Sequence, residues 1–129
     1  YVVQAILSAQ RREHLSSLIK SFRGNFYKFS LHKFASNVIE KCIRNATDEE
    51  RTEIFEEIIG IPGSFHYDRI LKLVEDQFGN YVIQRIIEYG TEEQQEAVFD
   101  VVYDNYDTLF NRQYAKYVIS RLESNGFSF

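Results

Sequence analysis

The segment from Leu73 to Glu88, LVEDQFGNYVIQRIIE, decides how this chain folds. Val82, Ile83, Ile86 and Ile87 recur at i, i+1, i+4 and i+5, a broad helical stripe and not the alternation of a strand. Two other stretches repeat its pattern: FSLHKFASNVIEKCIR from Phe29 and LFNRQYAKYVISRLES from Leu109. Each places an aromatic residue (Phe34, Phe78, Tyr114) before a small one (Ala35, Gly79, Ala115). A Val-Ile pair follows at 38–39, 82–83 and 118–119, then a basic residue (Lys41, Arg85, Arg121). The chain opens on YVVQAIL, which matches the tail of the same unit with Tyr1 in the place of Asn37. Successive units lie 36, 44 and 36 residues apart. A fixed period of this length is the mark of a repeat architecture.

Between the aligned stretches lie further helices. Thr47-Asp48-Glu49-Glu50 and Thr91-Glu92-Glu93-Gln94 both have the form of a capping box. Behind them Ile54, Phe55, Ile58 and Val98, Phe99, Val102 each supply an apolar face. The surplus of the longer interval falls in IGIPGSFHYD, residues 59–68, which holds the only Pro and two of the six Gly, as a surface loop would. The expected fold is all-α: helical hairpins stacked into an α-solenoid, each burying its apolar face against its neighbours. The expected divisions are a partial repeat over 1–22, a repeat over 23–58, the inserted loop 59–68, a repeat over 69–104 and a terminal capping repeat over 105–129. The chain begins at Tyr1 and not at Met, which points to a piece of a longer protein. An N-terminal edge cut in this way would expose apolar surface, so association or fraying is expected there.

Composition narrows the function. With 44% apolar and 26% charged residues, the 129-residue chain has an ordinary globular balance. Nine Tyr and eleven Phe argue against disorder. One Cys excludes an internal disulfide, and a reducing, cytoplasmic setting is expected. No apolar run approaches the roughly 18 residues of a membrane span, and no signal peptide is visible. Cys42 shares its position with Ile86 and Leu122 and reads as a core residue. His14, His32 and His66 are scattered, so no metal or cofactor site is expected. No nucleophile with its base, phosphate-cradling loop or acid pair stands out, so no enzyme is expected.

The positions that vary between units carry the chemistry. One aligned helix has Ser36, Asn37 and Glu40, the next Asn80, Tyr81 and Gln84, the last Lys116, Tyr117 and Ser120; the opening segment keeps Tyr1 and Gln4. Residues four apart share a helix face, with the residue after the first beside them. Each helix therefore offers two polar side chains and a flat neighbour, and stacking sets these trios in a row. Glu40 is an acceptor-only carboxylate, matched to the N1–H and N2–H₂ donors of guanine. Asn80 and Gln84 each donate and accept, as the uracil edge requires. Tyr1, Tyr81 and Tyr117, and more weakly Asn37, are suited to stack on bases.

SNVIE at 36–40 and NYVIQ at 80–84 resemble the base-reading motifs of the Pumilio/FBF (PUF) family of RNA-binding repeats, and HKFASNVIEKC is similar to that family's seventh repeat. The resemblance implies that Tyr1–Gln4 belongs to repeat six, Ser36–Glu40 to repeat seven, Asn80–Gln84 to repeat eight and Lys116 to the terminal cap. It further implies single-stranded RNA running antiparallel to the chain and read as 5′-UGU-3′. The first U falls to Asn80 and Gln84, the G to Ser36 and Glu40, and the second U to Gln4. Tyr81, Asn37 and Tyr1 would stack between bases. Lys116 and Ser120 match no reading pair, although Tyr117 is placed to stack on the 5′ uracil. The whole protein would then bind mRNA 3′ untranslated regions and repress translation or promote decay. Protein partners would use the convex face and the loop around Phe65, His66 and Tyr67.

Net charge is −4, which by itself disfavours a nucleic-acid partner. The windows 33–44, 77–88 and 112–123 nevertheless hold seven Lys and Arg against three Glu, a basic strip on an acidic body. Candidate phosphate contacts are Lys33, Lys41, Arg85, Lys116 and His32, the last placed either to touch phosphate or to cap the turn before its helix. Two alternatives compete: a Pumilio-like ribosome-assembly protein of looser sequence preference, and a helical-repeat protein scaffold without an RNA role. The intact SNVIE and NYVIQ weigh against the first, and the chemically ordered trios against the second.

Overall fold

The computed structural model describes residues 2–129, with side chains described from residue 11 onward. The elements run α1 (Val2–Phe22), α2 (Phe26–Ser30), α3 (Ala35–Asn45), α4 (Asp48–Ile59), β1 (Gly60–Ile61), β2 (Ser64–Phe65), α5 (Tyr67–Glu75), α6 (Gly79–Tyr89), α7 (Glu92–Asp104), α8 (Tyr106–Leu109) and α9 (Ala115–Ser124). The units are not hairpins. Each opens with a short helix, α2, α5 or α8, which the sequence pattern did not separate, so α2–α3–α4 and α5–α6–α7 are triplets and α8–α9 a final pair. At five and four residues, α2 and α8 are too short to show a helical period.

The same local devices recur in both triplets. Thr47 accepts from the Glu50 amide, and the Glu50 carboxylate accepts from the Thr47 amide; Thr91 and Gln94 do the same. Four residues into each box a long side chain ties back to the preceding helix: Arg51 Nε donates to the Ile43 carbonyl at 2.8 Å, and Gln95 Nε2 to the Ile87 carbonyl at 2.7 Å. These bonds satisfy carbonyls that a helix end leaves open. The first unit has no such break. Its counterpart of Thr47 is Arg11, and that of Glu50 is His14. Without a capping box, α1 runs unbroken from Val2 to Phe22.

The core is one continuous cluster. Ile39, Cys42 and Ile43 of α3, Val82, Ile83, Ile86 and Ile87 of α6, and Val118, Ile119 and Leu122 of α9 meet Ile54, Phe55, Ile58 and Ile59 of α4 and Val98, Val101 and Val102 of α7. Cys42 is fully buried, and burial pushes its thiol pKa up. The aromatic position of the repeat is less uniform than its sequence. Phe78 and Tyr114 are half-buried, whereas Phe34 is 69% exposed. The chain's end was not legible as packing, yet Phe127 stacks on Phe99 with centroids 4.9 Å apart, and Phe129 lies against Tyr106 at 5.1 Å. The 59–68 insertion is a small antiparallel ribbon, Gly60 opposite Phe65 and Ile61 opposite Ser64. Pro62 and Gly63, the latter at φ 85°, make its turn. Phe65 packs on the core, while His66 and Tyr67 are exposed.

Gly79 shows how closely the helices approach. A Cβ there would lie 2.7 Å from Leu73 Cδ2 and 3.0 Å from Leu73 Cα. Gly79→Ala gains about 1 kcal/mol of helix propensity. It loses about 1–3 kcal/mol to overpacking against backbone that cannot rotate away. The expected result is a lower melting temperature and denaturant midpoint with an unchanged m-value; a midpoint raised above wild type would show that the α5–α6 junction yields.

Candidate nucleic-acid interface

Helices α3, α6 and α9 pack in sequence, α3 against α6 and α6 against α9. The starts of α3 and α6 are set by the residue three positions before each. Asp76 Oδ2 accepts from the Phe78 and Gly79 amides, both at 2.8 Å. His32 Nδ1 accepts from the Phe34 and Ala35 amides at 3.2 and 3.3 Å. His32 therefore caps the turn, the second of its two expected roles. The third unit has Arg112 at this place and no side-chain cap.

From these starts the three helices present equivalent positions. Asn37, Tyr81 and Tyr117 are all exposed, the two rings at 46% and 47%. The polar pairs beside them are not the open tips that the helical pattern implied. Ser36, Asn80 and Gln84 are 4%, 0% and 7% exposed, and Glu40 is partly buried. Local hydrogen bonding explains this. Asn80 Nδ2 folds back onto the carbonyls of Asp76 and Gln77, at 2.8 and 3.1 Å. Its Oδ1 accepts from Gln84 Nε2 at 3.1 Å. Ser36 Oγ turns to the Lys33 carbonyl at 3.4 Å. The short side chains lie low between the exposed Asn37, Tyr81 and Tyr117, so a ligand could reach them only by coming down between those residues. Asn80 has spent both amide hydrogens, whereas Gln84 keeps one hydrogen and its Oε1. In α9, Lys116 and Ser120 are both exposed.

Charge is also arranged differently from the sequence count. Arg85 is not available as a phosphate contact: it is 8% exposed, and its Nη1 pairs with Glu88 at 2.7 Å while its Nε faces Glu40 at 3.8 Å. One of the seven cations of the basic strip is thereby neutralised inside it. Burial raises the Glu40 pKa above the ordinary carboxylate value, and Arg85 and then Arg44 oppose the rise. Lys33, Lys41 and Lys116 remain exposed; Lys33 Nζ lies 5.4 Å from the Phe34 ring centroid and Lys116 Nζ 5.7 Å from that of Tyr117. Tyr1 and the Gln4 side chain lie outside the described residues. Among the described residues no cluster of His, Cys, Asp or Glu could hold a metal ion. Nor is any described helix long and apolar enough to cross a membrane.

Comparison with known proteins agrees with this architecture. The family model for the Pumilio-family RNA binding repeat matches residues 25–59 and 69–102. Pumilio homolog 12 of Arabidopsis thaliana is 31% identical over 124 residues, 96% of this chain and 20% of that protein. The mRNA-binding protein puf3 of Schizosaccharomyces pombe is 33% identical over 93 residues, 72% of this chain and 11% of that protein. Among solved structures, the Puf3 RNA binding domain bound to a Cox17 RNA 3′ UTR recognition sequence superposes with a TM-score of 0.70 at 28% identity, covering 82% of this chain and 29% of that one. PUF-8 in complex with PBE-RNA gives 0.66 at 26% identity, with 87% and 32% covered. The chain thus spans a fifth or less of these two curated relatives and about a third of the solved domains. Two family repeats fall on the two complete triplets, and their neighbours in structure are helical solenoids of the same kind: the chain belongs to the Pumilio (PUF) family.

Proposed function

We propose that this chain binds single-stranded RNA in a sequence-specific manner and reads 5′-UGU-3′. The observation that carries the proposal is the pairing of Ser36 with Glu40 on α3 and of Asn80 with Gln84 on α6, each beside an exposed Asn37 or Tyr81 on neighbouring helices. In this reading the Glu40 carboxylate takes the N1–H and N2–H₂ of guanine. The free hydrogen and Oε1 of Gln84 take the uracil edge while Asn80 holds Gln84 in place. Gln4 meets the second uracil. Tyr81, Asn37, Tyr1 and Tyr117 supply the planes between bases. Lys33, Lys41 and Lys116, all exposed, follow the phosphates.

The bound-RNA neighbours support the same class of ligand. Such binding would act on 3′ untranslated regions of cytoplasmic mRNA and lead to repression or decay. Residues Phe65–Tyr67 and the layer of α4 and α7 would be left for protein partners. Fluorescence polarisation with labelled RNAs tests the reading. At moderate salt, a UGU-centred RNA is expected to outbind an ACA-centred RNA of equal length, since each misread base costs about 1–3 kcal/mol. Equal affinities would reduce the interaction to phosphate attraction.

A further inference from the structure

We propose that Arg85 is a specificity-determining positioning residue: reaching from α6 across to α3, it faces the Glu40 carboxylate and holds it in place, so that the guanine preference of one repeat is set by a residue of the next. This rests on the reading of Glu40 as the guanine acceptor. The geometry is specific. Arg85 is 8% exposed, it lies on the helix that follows Glu40 in the stack, and its Nε faces Glu40 Oε1 at 3.8 Å. That Nε is sealed from solvent and donates no hydrogen bond in the free protein. A buried guanidinium N–H without an acceptor costs free energy, and a small movement of Glu40 toward it removes the cost. The rest of the guanidinium is anchored by Glu88, whose side chain is 37% exposed. Arg85 is therefore shared between a reading carboxylate and a surface one.

Chemistry gives the pairing its consequence. Ionised Glu40 only accepts, which suits the two donors of guanine. Protonated Glu40 donates and accepts, the pattern of a Gln side chain, and suits uracil instead. Burial favours the protonated form; Arg85 from α6 and Arg44 from α3 favour the ionised one. Glu88 acts on Glu40 only through the guanidinium they share. Arg85, acting with Arg44 against burial, thus biases the charge state of Glu40 and with it the base that suits it.

Four proteins test this: wild type, Arg85→Gln, Arg85→Lys and Glu88→Gln. Each is titrated by carbon-13 NMR at the Glu40 carboxyl, and each is assayed between pH 5 and 8 for binding to RNAs that carry G, U or A at the middle of UGU. Arg85→Gln is expected to raise the Glu40 titration and to reduce the G-over-U preference severalfold at the acid end. The preference should recover as pH rises. Glu88→Gln, at an exposed site that does not threaten folding, should do the opposite and carry the G preference to lower pH. Arg85→Lys should restore part of the wild-type profile. If wild type prefers G and both Gln variants keep its pH profile, the inference fails while the reading of Glu40 survives. If wild type shows no G preference, the reading fails and the inference with it. An equal loss at the flanking uracil positions in Arg85→Gln would mark a merely structural role and would also overturn it.

Discussion

Ser36→Asn together with Glu40→Gln is expected to change the base preferred by the middle unit from guanine to uracil, a swing of about 1–3 kcal/mol by the scale of well-formed side-chain-to-base pairs. The double change gives α3 the pair that α6 already carries. In α6 the Asn lies flat because two backbone carbonyls, those of Asp76 and Gln77, receive its amide. The equivalent carbonyls in α3 belong to His32 and Lys33, and Ser36 already approaches the second of them. The new Asn therefore has its acceptors waiting, and the new Gln has an Oδ1 to donate to. Removing the Glu40 charge does not strand Arg85, because its 2.7 Å pair with Glu88 persists. The expected melting temperature is close to wild type. Competition binding with RNAs varied only at the middle base measures the outcome; a base profile identical to wild type would show that Ser36 and Glu40 do not face that base.

Why the reading positions were legible, while their surroundings were not, follows from what periodicity records. The Val-Ile stripe and its 36- and 44-residue offsets identify α3, α6 and α9 and state which residues lie one step off the core. The capping boxes at Thr47 and Thr91 were equally visible, because a cap is made within four residues. Contacts between units leave no such mark. Lys41 and Arg85 occupy the same place in the pattern, yet Lys41 is exposed and Arg85 is enclosed between Glu40 and Glu88. The difference is that α3 covers Arg85, a fact of stacking and not of sequence period. Similarly, Asn80 bonds back to the Asp76 carbonyl before the helix and accepts from Gln84 one turn on, partners that the period does not reveal. The cap at His32 was half legible: its place before the helix allowed the role, and the repeat-equivalent Asp76 performs it with a carboxylate. The folding back of Phe127 and Phe129 onto Phe99 and Tyr106 had no periodic signal, since their counterparts 36 residues earlier are the polar Thr91 and Glu93.

Phe55→Ala is the substitution expected to cost most, about 3–5 kcal/mol, the usual loss for truncating a buried aromatic ring. Phe55 is 1% exposed and sits in α4, whose neighbours include α2 of its own triplet and α5 of the next. The ring thus supports the junction between the two complete units. Its counterpart one unit on, Phe99, is only half-buried and stacks on Phe127 near the chain end, so a lesion there removes less. In a linear array, stability is a sum of unit and junction contributions, and a central junction is shared by everything on both sides of it. Against a typical total of about 5–15 kcal/mol, the loss at Phe55 brings a chain with so few units close to half-unfolded. Chemical denaturation followed by circular dichroism measures it; a midpoint within experimental error of wild type would mean that the α4 core tolerates a cavity of that size. The same variant separates folding from reading. Any loss of RNA affinity in Phe55→Ala comes from the unfolded fraction, so it should scale all RNAs alike, leave the preference for UGU over ACA unchanged, and shrink as added RNA pulls the chain back to the folded state. The exchange at Ser36 and Glu40 should do the reverse, moving the base profile while the denaturation curve stays in place.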